Sequence, residues 1–122
     1  MNTTVLFLAL ISVCLSVTGQ VLFKQGMTLV TQQITVNAPV FTWFSALLNN
    51  ASIITGLLAY VASTGVWLAV LSKTELSKAY PFIGLGIAGT MLLSYWLFDE
   101  PITSYKLVGT AFVIIGIILL AK

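Results

Sequence analysis

Ser12, Ser16, Gln20 and Lys24 stand four residues apart, and Lys24 is the one charge of either sign in the first 72 residues. On a helix advancing about 100° per residue the four fall within about 120° of one another, a polar stripe on an otherwise apolar rod. A lone ammonium above an amide and hydroxyls suits an anionic cargo, held through a phosphate or carboxylate. Two readings of Lys24 stay open. At a helix centre an intramembrane lysine costs about 2.5–3.5 kcal/mol and faces a cavity; near a helix end it snorkels to the headgroups as an anchor. A span centred near residue 13 leaves Lys24 about 16 Å off centre, whereas a helix reaching Val30 brings it to about 10 Å. Gln20, one turn deeper, favours a hydrated groove.

The remaining polar residues offer little other chemistry. Glu75, Asp99 and Glu100 are all the acids, and each falls at a helix end. Glu75 reads as a cap, and Asp99-Glu100 as a turn that caps the last helix. No carboxylate lies mid-membrane to carry a proton or bind a cation. The absence of His and the single Cys14 exclude an intrachain disulfide and a Cys/His metal cluster. With no Ser/His/Asp set or phosphate loop either, neither an enzyme, a metal nor a cofactor is expected. Cys14 reads as a small packing residue. Gly84, Gly86 and Gly89 match GxGxxG inside an apolar stretch with no preceding strand, which favours close helix packing over a nucleotide site. Lys78 and Lys106 stand at helix starts, where the dipole disfavours cations. They read as topology signals or as headgroup contacts.

Hydrophobic residues are 59% of the 122 and charged residues 7%, against about 25% charged in soluble domains. That composition is a membrane protein's, with room for four spans of roughly 20 residues each. A net charge of +2, all five cations being lysines, gives no basic field for nucleic acid. Met1-Asn2-Thr3-Thr4 lacks a basic leader region, so the first apolar run reads as a retained span. The spans are expected near residues 4–30, 51–71, 73–97 and 102–121, in a single domain over 1–122. Phe41, Trp43 and Phe44 mark a short interfacial helix at 39–48. Gly56, Tyr60, Ser63 and Trp67 recur on one side of the second span, which should face other helices. Ser72 and Glu75 have the spacing of a capping box that starts the third. Pro81 cannot donate to the carbonyl of Ser77, so that span should kink near Tyr80, which either lines a cavity or packs. Gly109 and Gly116 lie within about 20° on the last span and invite a helix contact. Four spans put both termini and Lys73, Lys78 and Lys122 on one side, weakly favouring the cytoplasm.

The run Ser16-Val-Thr-Gly19-Gln20-Val-Leu-Phe-Lys24-Gln25-Gly26 and the stretch Ala79-Tyr80-Pro81 through Phe98-Asp-Glu100-Pro101 to Gly109 and Gly116 resemble the drug/metabolite transporter superfamily. The resemblance covers nearly the whole chain and is to its small four-helix members. Of two branches, the small multidrug resistance exporters carry a helix 1 glutamate eight residues before a lysine, and here that position is Ser16. Their tryptophan early in helix 3 is replaced by Phe82 or Ile83. The Gly-Gln…Lys-Gln-Gly run and Ala-Tyr-Pro look closer to the EamA-like branch, which includes flippase subunits for aminoarabinose-phosphoundecaprenol.

This resemblance implies an all-α integral membrane bundle of four transmembrane helices with short turns, acting as a homodimer or with a sister subunit. It implies a flippase of the bacterial inner membrane for a polyprenyl-phosphate-linked sugar. Lys24 would hold the lipid phosphate, Gln20 and Ser16 would hydrogen-bond phosphate or sugar, and Tyr80 would line the groove at the Pro81 kink. Lys78 and Lys106 would receive phosphate at the two faces, while Gly109 and Gly116 would form the dimer contact. Membrane lipids would surround the bundle and take the prenyl tail. The rivals are an exporter of small or cationic compounds, against which the missing carboxylate counts, and a non-transporting partner of a related four-helix protein.

Overall fold

Asn2 starts the longest element of the computed structural model, which describes residues 2–120. Its side-chain oxygen accepts the Val5 N–H at 2.9 Å, capping a helix, α1 (Thr3–Gln33), that runs 31 residues. At about 1.5 Å per residue α1 is about 46 Å long and overshoots a bilayer core of about 30 Å. It also ends three residues past the expected limit. Next come α2 (Val40–Leu48), α3 (Ala51–Leu71), α4 (Leu76–Ala79), α5 (Pro81–Phe98) and α6 (Ser104–Leu120), with no strand among the described residues. The chain is all-α.

Among the described residues three stretches are long and apolar enough to cross a membrane: α1, α3 and Leu76–Phe98, which α4 and α5 form together. The apolar α6 is shorter, at 17 described residues. Ala121, where the last span was expected to end, and Lys122, counted in the charge balance, lie outside the described residues. On α2, Phe41, Phe44 and Leu48 are exposed at the spacing of one helical face, as an interfacial helix requires. Asn50 caps α3, its side-chain oxygen accepting from Ile53 N at 3.1 Å.

The antiparallel packing of α1 on α3 organises everything else. Small residues seven apart make the seam, with Ser12, Gly19 and Gly26 on α1 against Gly56 and Ser63 on α3. A seven-residue repeat drifts only about 20° per step, so these residues keep facing the same neighbour. Ser12 Oγ donates to Ser63 O and Ser63 Oγ to Ser12 O, each at 2.9 Å. At one end Val5, Ala9, Val70 and Ala79 bury completely or nearly so, flanked by Leu8, Trp67, Leu71 and Phe82. That cluster ties α4 to the start of α1. Then α5 packs on α1, and α6 packs on α5. Gly86 and Gly89 leave room for Val17 of α1, and Gly84 for Ile114 of α6, which is the close-packing reading of the glycine run.

Several local expectations are overturned. Ser72 and Glu75 form no capping box: Ser72 ends α3, its hydroxyl turned back to Ala69 O at 2.7 Å, and Glu75 makes no cap hydrogen bond at α4. The turn after α3 uses the serine as a terminator because its hydroxyl finds an unpaired carbonyl there. Nor do Asp99 and Glu100 cap the last helix. Thr103 does, accepting from Lys106 N at 3.2 Å, so α6 begins two residues later than expected. Cys14 is exposed rather than packed, on the side of α1 that α3 does not cover. The helix breaks at Tyr80 as Pro81 requires, with Tyr80 itself still in the right-handed helical region and Pro81 at the first position of α5.

Candidate functional site

Two helices that do not adjoin in sequence, α1 and α5, enclose the polar stripe. Ser16 and Gln20 face Ile83, Gly86, Ile87 and Thr90 across an open groove of about 390 Å³. Through Gln20 and Thr90 it continues into a hollow of about 220 Å³ that adds Lys24, Ser94, Phe98 and Glu100. There Lys24 Nζ lies 3.6 Å from Glu100 Oε1, with 55% and 38% of the two side chains exposed. The groove therefore runs from an ion pair at its mouth, past the Gln20 amide and the hydroxyls of Ser94, Thr90 and Ser16, to an apolar inner end.

The turn after α5 aims Glu100 at α1. Asp99 takes the left-handed conformation at φ 53° and ψ 29°, and its N–H bonds to Ser94 O. Glu100 N reaches the same carbonyl at 3.3 Å. A single left-handed residue closes many helices, and Asp is among the few non-glycine residues that adopt it routinely. The reversal brings the next side chain back over the end of the bundle.

The α1–α3 register fixes how deep this mouth lies. Ser12 is level with Ser63 and Gly19 with Gly56, so Val61, midway along α3, is level with Cys14. Lys24 stands about ten residues, or about 15 Å, above that level. Asn50 at the start of α3 confirms the height, its amide donating to Gly26 O at 3.4 Å. Although α1 extends past Val30, its own midpoint is not the bundle's, because its last two turns project beyond α3. Lys24 is thus a groove-mouth lysine, and its cost of burial is correspondingly small.

On the other side of α5, a groove of about 520 Å³ against α6 shares Thr90, Ser94 and Glu100 and adds Tyr105, Lys106 and Gly109. Lys106 Nζ donates to Pro101 O at 2.9 Å. Glu100 thus borders both grooves, with a lysine in each.

Ser16, Gln20 and Lys24 come together as the stripe predicts, but Ser12 does not join them. A four-residue step rotates about 40°, so over three steps the stripe turns from α3 to α5. Lys106 is at the Lys24 end. Lys78, on α4, is at the opposite end, one residue from Ala79 of the Val5 cluster. Tyr80 is exposed and lies about one turn beyond Ile83, outside the groove lining. Added Cβ atoms on Gly109 and Gly116 meet nothing within 4 Å; Gly109 is exposed and Gly116 half-buried. Thr90, Ser94 and Glu100 escaped the sequence reading. The four-residue step from Thr90 to Ser94, the same as Gln20 to Lys24, was the available signal; Glu100 gave none, since its placement depends on the turn.

Among curated proteins, the chain is 31% identical over 116 residues to "Probable 4-amino-4-deoxy-L-arabinose-phosphoundecaprenol flippase subunit ArnF" of Enterobacter sp. (strain 638), covering 93% of this chain and 91% of that one. It belongs to the family of these flippase subunits. A second member of the flippase-subunit family, "Probable 4-amino-4-deoxy-L-arabinose-phosphoundecaprenol flippase subunit ArnE" of Serratia proteamaculans (strain 568), is 41% identical over 56 residues, 46% of this chain and 49% of that one. "Uncharacterized protein y4nH" of Sinorhizobium fredii (strain NBRC 101917 / NGR234) is 35% identical over 68 residues, 55% of this chain and 58% of that one. No family model matches the chain, and no solved structure does. Membership in the flippase-subunit family agrees with the resemblance carried by the helix 1 and Ala-Tyr-Pro motifs and makes this a small membrane protein of the drug/metabolite transporter type.

Proposed function

We propose that this chain is a subunit of an inner-membrane flippase that moves a polyprenyl-phosphate-linked sugar, aminoarabinose-phosphoundecaprenol or a close relative of it. The observation that carries the proposal is the α1–α5 groove, open along its side and polar only from Ser16 to Lys24 and Glu100. An open-sided groove lets a sugar phosphate enter while its prenyl chain stays in lipid. Transport of this kind needs binding and passage rather than bond chemistry.

In this reading α6 is the fourth span, the chain is a single four-helix domain, and two such subunits form the working unit. One subunit's groove is open along its length, and a second bundle is what would close it into a path. Gly109 and Gly116, unencumbered on α6, supply the pairing face. Relatives bear two subunit names, ArnF and ArnE, which favours a sister chain as partner over a second copy. Lys24 binds the phosphate, and Gln20 and Ser16 hydrogen-bond phosphate or sugar. Lys106 receives phosphate at the same end and Lys78 at the other, with Tyr80 bordering the path beyond the groove's inner end.

The test is movement of a labelled sugar-phosphoprenol across liposomes that hold the chain alone or with a sister subunit. Transport in either preparation, reduced at least tenfold by Lys24→Gln, is expected. No movement in both would remove the flippase reading, and activity indifferent to Lys24→Gln would remove the lysine's role.

A further inference from the structure

We infer that Lys24 and Glu100 form a split site for a zwitterionic headgroup, Lys24 taking the phosphodiester and Glu100 an ammonium on the sugar. The inference rests on the proposed flippase function and adds a specificity residue to it. A phosphate site alone has no use for an acid. With Glu100 Oε1 3.6 Å from Lys24 Nζ, the pair carries no net charge, and an incoming anion must both break the pair and sit beside a carboxylate. Lipids bearing only phosphate are thereby disfavoured, the repulsive half of a specific site. An amino sugar reverses this sign: its phosphodiester replaces the carboxylate at Lys24, and its ammonium replaces the lysine at Glu100.

The exchange is inexpensive because the pair is exposed. Solvent-exposed ion pairs are worth at most about a factor of five in an equilibrium, so the empty site opens readily. Its two halves come from separate elements, the body of α1 and the turn after α5, so long side chains can part around a sugar ring without moving either helix. Ser94 and Thr90 line the space below and offer hydroxyls to the ring. An amine at carbon 4, as in the relatives' substrate name, with a phosphate on the anomeric carbon, puts the two charges across the ring from each other. Glu100 also borders the α5–α6 groove with Lys106, so it remains beside the ammonium if the phosphate moves from one lysine to the other.

The deciding experiment compares two polyprenyl-phosphate pentoses in liposomes holding the chain and its sister, one with a 4-amino and one with a 4-hydroxyl group. Wild type should move the amino lipid about tenfold faster, the worth of one charge-assisted hydrogen bond. Glu100→Gln should bring the ratio near one by slowing the amino lipid while the hydroxyl lipid moves at least as fast as in wild type, the repelling carboxylate being gone, and that movement shows that this variant is folded. Lys24→Gln should slow both. Asp99→Asn, which removes the adjacent acid outside the groove, should keep the wild-type ratio. A ratio unchanged by Glu100→Gln, equal loss of both lipids in that variant, or a wild type that moves both at one rate would overturn the assignment and leave the flippase function standing. A wild type that moves neither lipid ends both.

Discussion

Gly19 and Gly56 bring α1 and α3 so close that a Cβ on either would sit 3.0 Å from the carbonyl oxygen of the other. Both obstacles are backbone atoms, so relief requires the helices to move apart. Gly56→Val or Gly19→Val should therefore lower stability by about 1–3 kcal/mol, the range for overpacking. Thermal unfolding in detergent measures this, with Gly65→Ala as the comparison. At Gly65 a Cβ meets nothing within 4 Å, and stability there should hold or rise slightly.

Ser12 and Ser63 exchange hydrogen bonds at the same seam, each hydroxyl donating to the other's carbonyl at 2.9 Å. Each bond between membrane helices is worth about 0.6 kcal/mol, because the separated helices also find partners. Single Ser12→Ala and Ser63→Ala variants should lose about that much each. The two hydroxyls also touch at 3.3 Å, so a double-mutant cycle should show non-additivity. Strict additivity would mean that the two bonds form independently.

Thr103, rather than the acids before it, caps α6 through its bond from Lys106 N. Thr103→Ala should cost about 1 kcal/mol of local stability and speed amide hydrogen exchange at Lys106 and Leu107. Asp99→Ala should leave exchange at those two amides unchanged, since Asp99 ends α5.

A Cβ added at Gly109 or Gly116 would meet nothing within 4 Å. Bulky substitution, Gly109→Leu with Gly116→Leu, should therefore leave the subunit's own thermal unfolding intact while weakening its pairing. Cross-linking of the chain with itself and with its sister reads the pairing directly. Unchanged cross-linking would move the proposed dimer face elsewhere.

Much of the helical layout was legible because length and hydropathy act locally. Apolar runs of membrane length mark α1, α3 and the Leu76–Phe98 stretch, Pro81 marks the break, and Phe41 and Phe44 mark α2 and its exposed aromatic face. Half of the groove was legible too, since Ser16, Gln20 and Lys24 share one helix and helical periodicity alone relates them. Thr90, Ser94 and Glu100 come from elsewhere in the chain, and their place beside Lys24 depends on how α5 packs against α1. The caps were misread for a related reason. Ser72, Glu75, Asp99 and Thr103 are all capable of capping, and the path of each turn decides which of them finds a free N–H or carbonyl.

Sequence alone thus determined that the chain is a membrane protein with a polar stripe ending at a lysine, because composition and periodicity express solvent preference residue by residue. Only the tertiary structure decided that Lys24 lies at the mouth of a groove and has an acid for a neighbour. Depth depends on the α1–α3 register, which close approach of Gly19 to Gly56 sets. The acid depends on one left-handed residue, Asp99, turning Glu100 toward a helix that ends 66 residues before it. Neither relationship is a property of any single segment.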